Sequence, residues 1–141
     1  MITQDSQQAE KINIAIVGVG YWGSNLMRNF NETERCQIKY VCDLDVNKLA
    51  KIKNKYPSVS ITTYLGEVLT DPAVDAIVIA TPTASHYTLA KQALTAGKHV
   101  LLEKPMAATV RECELLRSLA QERKLVFMVD HTFLYTGAVR K

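Results

Sequence analysis

No run of the chain is long and apolar enough to span a bilayer, and Met1 to Glu10 are polar where a secretory leader would be apolar. No membrane partner is expected, and residues 1–10 read as a flexible tail. Cysteine is scarce. Cys36, Cys42 and Cys113 are odd in number and lack metal-ligand spacing, so neither a disulfide framework nor a metal site is expected. Three such cysteines read as core filler in a cytoplasmic protein. An excess of one charge is missing too: 17 Lys and Arg face 14 Asp and Glu, a net +3. The densest basic group, Lys48, Lys51, Lys53 and Lys55, looks like a solvated helix face, which leaves nucleic-acid binding without a basic patch. Repeats, low-complexity segments and internal linkers are also absent. A chain of 141 residues, 48% of them hydrophobic, is one domain with enough material for a proper core.

Glycine is sparse, six in the chain, yet three of the six stand together. Gly18-Val19-Gly20-Tyr21-Trp22-Gly23 is a G-x-G-x-x-G. It follows the apolar, β-branched run Ile12 to Val17, which suits a buried strand. It precedes Ser24 to Phe30, where Leu26, Met27 and Phe30 share one side of a helix. Strand, tight turn and helix N-terminus together make a pyrophosphate site. Gly18 permits the turn, Gly20 lets the backbone approach a phosphate, and Gly23 lets the helix pack close to the strand. Tyr21 and Trp22, at the variable positions of the motif, read as packing or cofactor-covering residues.

Asp43 stands twenty residues beyond Gly23, at the end of a second apolar run, Ile38 to Cys42. An acid there accepts hydrogen bonds from an adenosine ribose and repels a 2′-phosphate. Asp45 adds negative charge and no Arg follows directly, so NAD is expected over NADP. The alternative is an ordinary glycine turn with a helix-capping Asp.

Further along, Asp45 caps a helix running to about Tyr56, with Val46, Leu49, Ala50 and Ile52 inward. Val59 to Thr62 is a short strand and Tyr64 to Leu69 a short helix. Ala76 to Ala80 reads as a strand buried on both faces. Ser85 to Ala96 is a helix closed by Gly97, and Val100 to Leu102 is the next strand. Thr109 and Glu112 form a capping box for a helix that reaches about Arg123 on Val110, Cys113, Leu116 and Leu119. Leu125 to Val129 is the last strand. Six strands alternating with helices predict an α/β fold: a Rossmann-type, doubly wound parallel sheet in one three-layer domain.

Ligands of such sheets bind at the carboxyl ends of the strands. Three places qualify beside the glycine loop: Thr81-Pro82-Thr83 with His86, Glu103-Lys104-Pro105, and Asp130-His131-Thr132. Lys104 is a candidate to share a proton with a substrate hydroxyl or to position a nicotinamide; it also reads as a surface lysine beside a turn. His86 either contacts the cofactor or merely sits near a helix N-terminus. His99 reads as structural, and His131 as a crevice or core histidine.

These residues resemble a known family. Ile-Val-Gly-Val-Gly-Tyr-Trp-Gly-Ser-Asn-Leu (16–26), Cys-Asp-Leu-Asp (42–45), Ala-Thr-Pro-Thr-Ala-Ser-His-Tyr (80–87), Ala-Gly-Lys-His-Val (96–100) and Glu-Lys-Pro-Met (103–106) are similar to the N-terminal domain of the Gfo/Idh/MocA oxidoreductases. The Gly-Tyr-Trp-Gly loop and His-Thr-Phe-Leu-Tyr (131–135) look most like the subgroup that oxidises nucleotide-sugar hexuronates at C3. The resemblance implies NAD-dependent hydride transfer with sugars or polyols. By motif position it implies that Gly18, Gly20, Gly23 and Asp43 hold adenosine and pyrophosphate. Thr81, Pro82 and His86 would line the cofactor crevice, with Glu103 and Pro105 beside the nicotinamide and Lys104 as the catalytic lysine near the reacting carbon.

Members of the family continue into a second α/β domain that supplies most substrate contacts and usually the oligomer interface. The resemblance therefore divides this chain into a tail (1–10), a dinucleotide-binding domain (11–132) and the start of a connection to a substrate domain (133–141). A sugar or nucleotide sugar is the expected partner when that domain is supplied, and self-association into a homo-oligomer is compatible with the surface it would cover. Asp130 departs from the family, where glycine often stands. A stand-alone NAD(H)-binding sensor, or a module that recruits a separate catalytic subunit, is the other expectation.

Overall fold

β-Branched residues at the two-residue period of a strand and apolar residues at helical spacing alternate along the chain, and the structure follows that alternation. In the computed structural model residues 11–137 are described; the tail 1–10 and residues 138–141 lie outside the described residues. The elements run β1 (Ile12–Val17), α1 (Tyr21–Asn31), β2 (Cys36–Cys42), α2 (Val46–Lys55), β3 (Ser60–Thr62), α3 (Leu65–Thr70), β4 (Ala76–Ile79), α4 (Thr83–Thr95), β5 (His99–Glu103), α5 (Val110–Glu122) and β6 (Phe127–Asp130). A 3₁₀ turn, Thr132–Tyr135, follows.

All strand pairs are parallel, in the order β3-β2-β1-β4-β5-β6. The chain winds outward from β1 to β3, then returns to β4 on the other side of β1. The direction of winding therefore reverses between β1 and β4, which opens a crevice at their carboxyl ends. Alternate residues of the two central strands face opposite layers. Ile14, Ile16 and Val78 pack with Met27 of α1 and Leu49 of α2. Ala15, Val17, Ile77 and Ile79 pack with Val68 of α3, Ala90 and Leu94 of α4, and Leu116 of α5. The three-layer, doubly wound expectation holds.

Local chemistry fixes the helix ends. Asp45 accepts from the N–H groups of Asn47 and Lys48 at the start of α2, a cap that contributes about 1 kcal/mol. Thr109 and Glu112 form the reciprocal capping box of α5. Gly97 takes a positive φ of 78° just past α4, the left-handed turn that ends a helix cheaply only with glycine.

Three of the departures from expectation have a local physical reason. α1 begins at Tyr21 rather than Ser24, because the Ser24 N–H already donates to the Gly20 carbonyl; Gly23 thus lies inside the first turn. Val46 and Ala50 are exposed, because Leu49 and Ile52 suffice for the narrow stripe that α2 presents to the sheet. Val110, at the first position of α5, is exposed as well, and Leu116 and Ala120, four apart, carry the inward face.

The amino-terminal edge of the sheet is closed by side chains. Lys98 is buried, and its Nζ donates to the Asp71 and Val74 carbonyls, each at 2.7 Å. Asp75 accepts from the Asn13 N–H at 2.7 Å, and His99 Nδ1 accepts from the Val126 N–H at 2.9 Å. His99 is structural, as its position suggests. These contacts leave the opposite, carboxyl edge open for a ligand.

Candidate functional site

β1 stops at Val17 because Gly18 turns the chain away with φ at 88°, a conformation L side chains rarely adopt. A Cβ on Gly18 would also stand 2.8 Å from the Ala80 carbonyl oxygen. One on Gly23 would collide with the carbonyl oxygen of Gly18, so this glycine allows α1 to rest on the loop. Gly20 differs: a Cβ there would meet nothing within 4 Å. Protein packing gives no reason for glycine at that position, whereas close approach by a ligand does.

Asp43 follows the last residue of β2 and reaches back to this loop. Its Oδ2 accepts from the Val19 N–H at 2.8 Å, and its Oδ1 accepts from the Asp45 N–H at 2.9 Å. The acid therefore joins the glycine loop to the turn before α2, 24 residues apart in sequence. Each oxygen keeps a further lone pair with which to accept from a hydroxyl.

The crevice encloses about 680 Å³, and seven of the residues singled out from sequence line it: Gly18, Gly20, Tyr21, Trp22, Asp43, Thr81 and Pro82. Tyr21 and Trp22 are both exposed at its mouth. Their rings meet edge to face, 5.2 Å between centroids and 86° between planes. Thr81 is held by Ser85, whose Oγ lies 2.7 Å from Thr81 Oγ1 and 2.8 Å from the Pro82 carbonyl. Sequence reasoning missed the rest of the wall, including Leu44, Lys48, Thr63, Leu65 and Leu89. Leu44 follows Asp43 directly and Lys48 stands five residues beyond it, so extending the carboxyl-end rule into the loop and the first turn of α2 would have found them. Cys42 is also in the wall. Burial pushes its thiol up to about 11, with the charges of Asp43 and Glu67 adding to the effect, so it is protonated at neutral pH.

The remaining candidates lie elsewhere. Gly23 sits beneath the loop. His86 is 1% exposed, and it stands behind the crevice wall. Its Nδ1 is 2.7 Å from the Pro105 carbonyl and its Nε2 is 2.8 Å from the Thr81 carbonyl. Both nitrogens thus face protein carbonyls, the one that carries the ring hydrogen donating to its own, and His86 bridges the loop after β4 and the loop after β5. Sequence placed His86 near the site but could not show what its nitrogens would meet.

Glu103, Lys104 and Pro105 occupy the carboxyl end of β5, one strand beyond the enclosed crevice. Glu103 is buried, and its Oε2 accepts from the Lys104 N–H at 3.2 Å. Asp130 is its register partner on β6. Burial raises the Glu103 carboxyl above its ordinary range, and the Asp130 carboxylate raises it further, while the Lys104 N–H and ammonium oppose them. Lys104 is exposed, and its ammonium makes no hydrogen bond or ion pair among the described residues. His131 is exposed too. Among the described residues, no group of three or more His, Cys, Asp or Glu is placed to hold a metal ion. No helix among them is long and apolar enough to cross a membrane.

This geometry has known counterparts. GenD2 from gentamicin A biosynthesis, solved in complex with NAD, superposes with a TM-score of 0.88 at 29% identity, over 97% of this chain and 39% of that one. A biliverdin reductase from Synechocystis sp. PCC 6803, solved with biliverdin and NADP+, gives 0.85 at 31% identity, over 90% of this chain and 40% of that one. The scyllo-inositol 2-dehydrogenase (NADP(+)) IolW of Bacillus subtilis is 29% identical over 126 residues, 89% of this chain and 34% of its own length. The chain spans about a third of the length of the curated relatives it matches. Residues 12–131 match the Gfo/Idh/MocA model, described as an oxidoreductase family with an NAD-binding Rossmann fold. The chain belongs to the Gfo/Idh/MocA oxidoreductase family, of which residues 12–131 are the NAD-binding Rossmann domain.

Proposed function

We propose that this domain binds NAD(H) in preference to NADP(H) and serves a cytoplasmic oxidoreductase that takes hydride from the hydroxyl-bearing carbon of a sugar or polyol. The observation that carries the reading is the Asp43 carboxylate on the crevice wall, joined to the glycine loop through Val19. One side chain thereby sets the relative position of a ribose acceptor and a phosphate cradle. The open space at Gly20 fits a pyrophosphate at the N-terminus of α1, where unpaired N–H groups and the helix dipole favour an anion. Gly18 shapes that turn and Gly23 lets the helix meet it.

When bound, the dinucleotide supplies the hydride acceptor. Thr81 and Pro82 would line its crevice, and Tyr21 and Trp22 would cover the mouth. His86 holds the Thr81 and Pro105 carbonyls in register from behind. Glu103 and Pro105 shape the nicotinamide end. Lys104 would stand beside the reacting hydroxyl, its neutral amine accepting the proton in oxidation and its ammonium returning it in reduction.

The Gly-Tyr-Trp-Gly loop and the His-Thr-Phe-Leu-Tyr segment at 131–135 favour a nucleotide-sugar hexuronate as the substrate class. In this reading residues 11–132 are the cofactor domain, and 133–141 lead toward a substrate-binding portion, for which the greater length of the relatives leaves room. The 141-residue chain then binds cofactor without turning over sugar. Thermal midpoints in a titration with NADH and with NADPH test the core of the proposal, since a ligand of the native state raises the midpoint once it exceeds its dissociation constant. NADH should raise it more than NADPH at equal concentration; equal or absent shifts would refute the preference.

A further inference from the structure

Both ring nitrogens of the buried His86 stand opposite groups that can only accept. Nδ1 lies 2.7 Å from the Pro105 carbonyl oxygen, and Nε2 lies 2.8 Å from that of Thr81. A neutral imidazole carries hydrogen on one nitrogen and a lone pair on the other. Whichever tautomer forms, one carbonyl then faces a lone pair at hydrogen-bond distance, a repulsive contact. Turning the ring over offers no escape, because it sets carbon atoms at the same short distances. Both contacts attract only when both nitrogens carry hydrogen, which is the imidazolium.

Burial opposes that charge, and so does the positive end of α4, whose first turn holds His86. No acid offsets it, for the ring makes no ion pair among the described residues. Of the elements packed against α4, β4 carries no titratable side chain, and β5 runs from His99 at its far end to Glu103, with Lys104 after it. α5 brings Glu112, committed to the capping box, and Cys113; its other charged residues are exposed. Two carbonyls therefore hold the charged ring against burial and a helix dipole, a balance that solution pH can tip.

We propose that His86 is a positioning residue that works as a proton-operated clamp between two loops of the candidate site. As an imidazolium it donates to both carbonyls and joins the loop of Lys104 to the crevice wall at Thr81. As a neutral ring it holds only one of them at a time, and tautomer exchange passes the hold between them. The proton comes from solvent and returns to it. Acid therefore tightens the two loops together, and base loosens them. The consequence for a cofactor rests on the dinucleotide reading of the crevice: NADH binds more tightly when the clamp is closed.

The ring itself gives the first readout. In the wild-type chain carrying isotope-labelled histidine, nitrogen NMR of His86 should pass from one protonated ring nitrogen to two as the folded protein is acidified. Amide exchange around Thr81 and around Pro105, corrected for its intrinsic dependence on pH, should slow with the same midpoint. The slowing should be roughly two- to tenfold, the scale of one net hydrogen bond. NADH affinity should rise over the same interval. In His86→Gln, whose amide does not titrate, exchange and affinity should both lose this dependence. A His86 ring that keeps one protonation state throughout the range in which the chain stays folded overturns the clamp. So does a ring that takes the second proton while exchange at both loops stays constant, or a His86→Gln chain that keeps the wild-type pH profile. The ring and exchange readouts need neither variant nor ligand. A chain that binds no dinucleotide would therefore remove the cofactor reading of the crevice, while ring and loops still decide the clamp.

Discussion

Val19 donates its backbone N–H to Asp43 Oδ2 at 2.8 Å, so the acid at the tip of β2 is part of the glycine loop's own structure. Its removal has two separable consequences. Asp43→Ala leaves the N–H groups of Val19 and Asp45 without their acceptor. It should cost about 1–3 kcal/mol in urea denaturation, the scale of orphaning a part-buried donor. Asp43→Asn keeps one acceptor oxygen and should cost less. Both variants should bind NADPH better relative to NADH, because the repelling charge is gone. An Asp43→Ala chain as stable as wild type would show that the bond to Val19 does not hold the loop.

The glycines of the loop separate ligand approach from packing in the same way. A Cβ on Gly20 meets nothing, whereas one on Gly23 runs into the Gly18 carbonyl oxygen. Gly20→Ala should change stability by no more than about 0.5–1 kcal/mol, the scale of an N-cap replacement, yet lower dinucleotide affinity at least tenfold. Gly23→Ala should lower the thermal midpoint without any ligand present. Two variants with matching midpoints and matching affinities would contradict this division of roles.

The fold was legible because its signals are local and periodic: a β-branched run before the glycines, a capping box at Thr109 and Glu112, and a left-handed glycine at 97. The candidate crevice was legible where motif spacing reports backbone geometry, as at Gly18, Gly20 and Asp43. It was not legible where partners come from distant segments. The place of His86 behind the wall depends on the carbonyls of Thr81 and Pro105, and no spacing rule states which side of a loop a helix residue will face. Val46 and Ala50 looked inward on helical period alone, but the width of the buried stripe is set by the sheet beneath it, which one helix's sequence does not contain.

The strut at His86 predicts a particular pattern of loss. Truncation to Ala empties a buried site and strips two contacts, which should cost about 2–4 kcal/mol. His86→Gln can reach one of the two carbonyls and should recover part of that. The more telling readout is local. Amide hydrogen exchange should quicken in the segments around Thr81 and around Pro105 together, since His86 is what joins them. Faster exchange at one loop alone would show that the other is held by different contacts.

Glu103 offers a test through pH. Burial, first, and then the Asp130 carboxylate raise its carboxyl above the ordinary value of 4.5. A raised folded-state value means the native protein binds the proton more tightly than the unfolded chain does. Stability from this group is therefore complete below about pH 4.5 and is lost as pH rises through the folded value. The Asp71 carboxyl, held below 3.8 chiefly by the Ala73 N–H and by Lys39, has the opposite sign, but its contribution falls away only at lower pH. Between pH 4.5 and 7 the two do not overlap. Over that interval the thermal midpoint of Glu103→Gln should decline less, or rise more, than that of wild type. Asp130→Asn should fall between them, because it removes the second cause and leaves the first. Identical pH slopes in wild type and Glu103→Gln would mean that the carboxyl titrates alike in the folded and unfolded chain, and that burial beside Asp130 costs its charged form nothing.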